Sequence, residues 1–113
     1  FGHRKASRIY FLHSMSWGSS SDVVGKYVIR YGEALQMTET IPIQNGVNIA
    51  DWYRPEDQEQ ARVAWAGSNS MATIGVYLYV WKNPHSDTVI DEIDIIGVDK
   101  NAILQVLAIT GQE

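Results

Sequence analysis

The sequence predicts an all-β chain, an antiparallel sandwich of two stacked sheets with the strand pattern of a jelly roll. Three observations lead there. Residues 74–84 read Ile-Gly-Val-Tyr-Leu-Tyr-Val-Trp-Lys-Asn-Pro. Val76, Leu78 and Val80 share one side of an extended chain, and Tyr77, Tyr79 and Trp81 share the other, so both faces are apolar and the strand is expected to be buried on both sides or nearly so. Similar period-two runs recur at short spacing, separated by turn formers. No stretch of helical length carries a 3.6-residue apolar period.

Taken in order, the first strand is expected over residues 8–13, with Ile9 and Phe11 opposite Tyr10 and Leu12. Residues 17–22, Trp-Gly-Ser-Ser-Ser-Asp, form a loop. A second strand covers 24–31, with Tyr27, Ile29 and Tyr31 opposite Lys26, Val28 and Arg30. Gly32 and Glu33 read as a turn, and a third strand covers 35–43. Pro42 cannot donate to a ladder, which makes that strand an edge or an exit. Gln44-Asn45-Gly46 is a turn signal. Residues 47–53 are short and irregular, and 54–60 are a polar loop or at most one helical turn opened by Pro55. A strand over 61–66 closes at Gly67, and the strand of 74–82 ends at Asn83-Pro84. A loop over 85–88 leads to a strand over 89–98, with Ile93 and Ile95 on one face and Ile90, Asp94 and Ile96 on the other. The last strand covers 102–110, and 111–113 are a tail.

Length and composition bound the function. The 113 residues are read as one domain, 1–113, and 45% of them are hydrophobic, enough for a core. The net charge of −4 argues against a nucleic-acid partner. No run approaches the ~18 apolar residues of a membrane span. The N-terminus shows no charged-then-apolar leader. With no cysteine there is no disulfide framework and no thiolate metal site.

Catalytic and metal signatures are missing from the pattern. There is no Gly-x-Ser-x-Gly elbow, phosphate loop, dinucleotide fingerprint or paired-histidine motif. His3, His13 and His85 lie far apart, and His13 reads as a strand-end residue with its ring hydrogen-bonded. Asp91 and Glu92 alternate faces and cannot act as a pair along one strand. Asp22, Asp87 and Asp99 lie in loops without the spacing of an EF-hand loop. No enzyme, metal or cofactor is expected.

The aromatic load is the stronger signal: four Trp and six Tyr. Trp17, Trp52, Tyr53, Trp65 and Trp81 all fall at or beside strand ends. A sugar presents an apolar C–H face that stacks on an indole or phenol, and a hydroxyl rim that Asp, Asn, Arg or His can bond. Asp51 beside Trp52, and Asn83 and His85 just past Trp81, supply such groups. The candidate carbohydrate-binding residues are therefore Trp17, Asp51, Trp52, Tyr53, Trp81, Asn83 and His85. Trp65 and Trp81 lie within strand patterns and also fit core positions.

An ordered series of segments carries a resemblance. It runs Tyr10-Phe11-Leu12-His13, Val24 through Tyr31, Asn48-Ile49-Ala50-Asp51-Trp52-Tyr53, Ala64-Trp65-Ala66-Gly67, Trp81-Lys82-Asn83-Pro84-His85, Ile93-Asp94-Ile95 and Leu107 through Gly111. The series resembles the C-terminal, galactose-binding-like β-sandwich accessory domains of secreted bacterial glycoside hydrolases and related cell-surface proteins. The resemblance implies a jelly-roll sandwich, an extracellular or cell-surface location and a carbohydrate-linked role without catalysis. Those domains have strands upstream of the Tyr-Phe-Leu-His segment, so the resemblance also implies a sandwich short of an N-terminal edge strand. An open edge offers unpaired N–H and C=O groups to another chain. The alternative expectation is therefore a structural subunit of an extracellular fibre or tube, closed by strand addition between copies.

Overall fold

The computed structural model describes residues 3–17, 23–32, 37–68, 72–98 and 102–113. Among these residues there are seven strands and no helix: β1 (Arg8–Ser16), β2 (Val23–Tyr31), β3 (Thr38–Gln44), β4 (Ala61–Ser68), β5 (Thr73–Lys82), β6 (Ile90–Gly97) and β7 (Ile103–Gln112). All pairings between them are antiparallel. They form two sheets, ordered β4-β5-β1-β7 and β3-β2-β6. The β-sandwich architecture is thus as the alternation predicts.

The sheets meet through aromatic rings. Phe11 of β1 stacks on Tyr27 of β2 with ring centroids 4.1 Å apart, so these two central strands face each other. Around them Ile9, Met15, Ile29, Ile41, Ile43, Ile49, Tyr77 and Ile90 are fully or nearly fully buried. Gly25 sits where β2, β6 and β7 converge. A Cβ there would lie 2.7 Å from the Ile96 carbonyl oxygen, with a Leu104 methyl 3.5 Å away, so only glycine fits that approach.

The strand of 74–82 has one buried face and one outward face. Its aromatic side is the core side: Tyr77 and Tyr79 are buried and Trp81 packs against the core. Its aliphatic side forms the outer face of the four-stranded sheet, and Val80 is 42% exposed. The strand is therefore not buried on both sides. Large rings fill the wide space between sheets, and smaller aliphatic side chains cover the outside at a smaller cost.

Four register shifts correct the strict alternation. On β2, Val23 pairs with Gln44 but Gly25 with Ile43, leaving Val24 as an extra residue. On β4, Val63 pairs with Tyr77 but Trp65 pairs with Val76, leaving Ala64 as an extra residue. On β6, Glu92 pairs with Arg30 but Ile90 with Tyr31, so Asp91 is extra and Ile90 turns into the core beside Ile93. On β7, Leu107 is skipped between Ala108 and Val106. Each bulge moves the following side chains to the other face. Ends also differ. β1 runs on to Ser16 because β7 pairs along it; β7 includes Gly111 and Gln112, opposite Ile9 and Arg8; β4 continues through Gly67 and Ser68. β3 is an edge strand with Pro42 in its ladder position, as its proline requires. The expected loop of 18–22, the turn at Glu33 and the start of the third strand at Leu35 lie outside the described residues.

One end of the sandwich is closed by a buried hub. Asn83 Oδ1 accepts the Tyr31 hydroxyl at 2.6 Å and the His85 amide at 2.9 Å, while its Nδ2 donates to the Ala6 carbonyl at 2.7 Å. The segment before β1 also docks here: the Ile90 amide donates to Arg4 O and the Ser7 amide to Gln112 O. Beyond that docking, β6 and β7 are edge strands of their sheets, with no further strand partner among the described residues. Ile95 shares the inner face with Tyr27, yet is 48% exposed.

Candidate ligand-binding site

The opposite end carries an aromatic cleft. Residues 51–53 run between the end of β1 and the start of β5. Met15 N–H donates to Ala50 O and Trp52 N–H to Met15 O on one side; Gly75 N–H donates to Trp52 O and Arg54 N–H to Thr73 O on the other. The segment thus behaves as a short strand, parallel to β1 at Met15–Asp51 and antiparallel to β5 at Tyr53–Ile74.

Asp51 holds this corner together. Its Oδ2 accepts the Trp17 N–H at 3.2 Å and its Oδ1 accepts the Tyr53 N–H at 2.9 Å. Both loops bend sharply, with Trp17 at φ 64° and Arg54 at φ 53°. A non-glycine residue in that region costs about 1–3 kcal/mol. The carboxylate's two hydrogen bonds to backbone amides help offset it.

The result is an open cleft of about 540 Å³ lined by Ser16, Trp17, Asp51, Trp52 and Tyr53, within the size range of small-ligand sites. Trp17 is 76% exposed and Trp52 39%. The Arg54 guanidinium lies 5.2 Å from the centre of the Tyr53 ring, a cation–π contact that steadies the phenol. Flat apolar rings here surround a carboxylate with acceptor capacity left over after its two amide bonds.

The seven candidate residues therefore fall into two groups. Trp17, Asp51, Trp52 and Tyr53 come together at the cleft. Trp81, Asn83 and His85 lie at the other end of β1, ~30 Å away along the strand. There Trp81 packs on the core and Asn83 is the buried hub. His85 Nε2 donates to Glu39 Oε1 at 2.8 Å, with its ring edge-on to Tyr31.

Trp65 is the residue that strand alternation misplaces. Ala61 and Val63 face the core, and a regular strand would carry Trp65 inward with them. The extra residue at Ala64 turns it outward instead. His13 is also displaced from expectation, since it is a buried mid-strand residue rather than a strand end. Its Nε2 donates to Asn48 O at 2.7 Å, and its Nδ1 accepts the Tyr27 hydroxyl at 2.6 Å. Burial pulls its pKa down to about 4, against a smaller upward pull from the Asn48 carbonyl, so the ring is neutral. Among the described residues no three His, Asp or Glu side chains converge as a metal-binding group. No helix among them is long and apolar enough to cross a membrane.

Comparisons with protein families, with curated proteins and with solved structures found no match for this chain.

Proposed function

We propose that this chain is a non-catalytic carbohydrate-binding or accessory module of an extracellular or cell-surface protein, with a galactose-binding-like jelly-roll fold. Trp17 and Trp52 stack the apolar face of a sugar, Tyr53 flanks it, and Asp51 accepts from its hydroxyls. The observation carrying this reading is the convergence of exposed indoles on a carboxylate already fixed by two backbone amides. A site held rigid before binding loses little entropy on capture. Affinity electrophoresis through galactan, rhamnogalacturonan and pectin tests it. Retardation of the wild type, lost in Trp52→Ala with the fold intact, supports the reading. Free migration through every glycan sinks it.

A second reading is favoured by the edge positions of β6 and β7. Among the described residues no strand pairs with the outer edge of either, and half-exposed apolar side chains such as Ile95 lie there. On this reading the chain is a structural subunit that adds to copies of itself through those edges in an extracellular fibre or tube. Light scattering at micromolar concentration decides it: large particles support assembly, and a strictly monodisperse monomer ends it.

A further inference from the structure

A row of side chains crosses the outer face of the four-stranded sheet beside the cleft. Ile74 of β5 pairs with Gly67 of β4 on one side and with Tyr53 on the other. Residues paired across a ladder project from the same face. That face is the outer one, because Ile74 alternates with Val76 and Leu78 while Tyr77 and Tyr79 point into the core.

Trp65 joins the row from two residues back along β4. Its six-membered ring lies against Gly67, where a Cβ would come within 2.6 Å of Cη2 and 2.8 Å of Cζ2. The bare glycine lets the indole lie down along the strand instead of standing off it. Trp65 is 58% exposed, more so than Tyr53 at 47%. Tyr53 itself is braced by Arg54 and also lines the cleft. From Gly67 to Tyr53 is two strand spacings, ~10 Å. One sugar ring cannot stack on both.

We propose that the site takes a glycan chain rather than a single sugar, with Trp65 as a further subsite. The cleft holds one unit between Trp17 and Trp52. The chain then passes Tyr53 and lies across the sheet to Trp65, so an internal stretch of an oligosaccharide is recognised along its length. Arg54, on that path, donates to passing hydroxyls. This inference rests on the carbohydrate reading above.

The test uses oligosaccharides of two to six units cut from whichever of galactan, rhamnogalacturonan or pectin retards the wild type most, with affinities from calorimetry. Wild-type affinity is expected to rise with length. Trp65→Leu keeps Gly67 covered by an apolar group but removes the platform. It is expected to weaken hexasaccharide binding about tenfold, as loss of one aromatic stacking contact implies, while leaving disaccharide binding within about twofold. Gly67→Ala, whose methyl displaces the indole, should repeat the pattern, and Trp52→Ala should weaken every length. If Trp65→Leu and Gly67→Ala match the wild type at all lengths, or the wild type binds all lengths equally, the extended subsite is overturned while the cleft reading stands. If no glycan retards the wild type, both fall.

Discussion

The Tyr27 hydroxyl donates to Nδ1 of His13 at 2.6 Å in the middle of the core, where the two sheets face each other. Nε2 of the same ring donates to the Asn48 carbonyl. The imidazole is thus a neutral bridge tying β1 to both β2 and the turn after β3. A proton added to Nδ1 would remove the acceptor that Tyr27 uses and leave a charge in the core.

That bridge makes stability acid-sensitive. The folded pKa of about 4 lies below the ordinary value of 6.5. Between those values the unfolded chain binds a proton that the folded chain refuses, so stability is full above pH 6.5 and falls as pH drops toward 4, then levels. The His13 contribution to this loss is ~3 kcal/mol. Urea unfolding at pH 7, 5.5 and 4.5 measures it, with His13→Gln removing the dependence in that window. Equal slopes for wild type and variant would refute it.

Asn83 joins β2, the segment before β1 and the turn after β5. We expect Asn83→Ala to cost about 3 kcal/mol or more, because the buried Tyr31 hydroxyl loses its acceptor and the Ala6 carbonyl its donor. Glycan retardation should be unchanged in the fraction that folds, since the cleft lies at the other end of β1. Thermal melts and affinity electrophoresis together check both halves.

Asp51→Ala should free the corner it clamps. The expected loss of global stability is about 1 kcal/mol, because the clamp is partly exposed. The local effect is larger: the Trp17 and Tyr53 amides, now without their acceptor, should exchange with solvent faster than in the wild type. Amide exchange by NMR reads this directly, and unchanged rates would show that the loops hold their shape without the carboxylate.

Phe11→Ala should be among the most damaging single changes, at ~3–5 kcal/mol. The ring is fully buried and contacts both Tyr27 and Tyr79. Chemical denaturation gives the value, and a loss under 1 kcal/mol would show that neighbouring rings collapse into the space.

Ile95→Lys tests the β6 edge. A charge at a half-exposed inner position of an edge strand blocks strand addition at little cost to the fold. If copies associate through β6, particle size should fall sharply in the variant while the melting temperature changes little. Particles that persist unchanged would place the contact elsewhere.

Much of the architecture was legible in the residue pattern, because alternation is a property of the local backbone. The inward set Tyr27, Ile29 and Tyr31, the turn at Gly46 and the edge character of the Pro42 strand follow from period and from single-residue geometry. So did the grouping of Asp51, Trp52 and Tyr53, which are neighbours in the chain.

Other features depend on what each strand meets. Period two divides residues 74–82 into two faces but does not say which is inside; the opposing rings of Phe11 and Tyr27 make the tyrosine face the core. The extra residue at Ala64 shows only in the pairing with β5, and it alone sends Trp65 outward. Trp17 meets Asp51 across 34 residues, whereas Asn83, two residues beyond Trp81, ends in a separate buried hub. Local spacing sets which side chains alternate, and long-range strand pairing sets which of them meet. Strand identities and turns were therefore written along the chain, while the bulges, the inward choice of face and the make-up of the cleft arose from the packing of one sheet on the other.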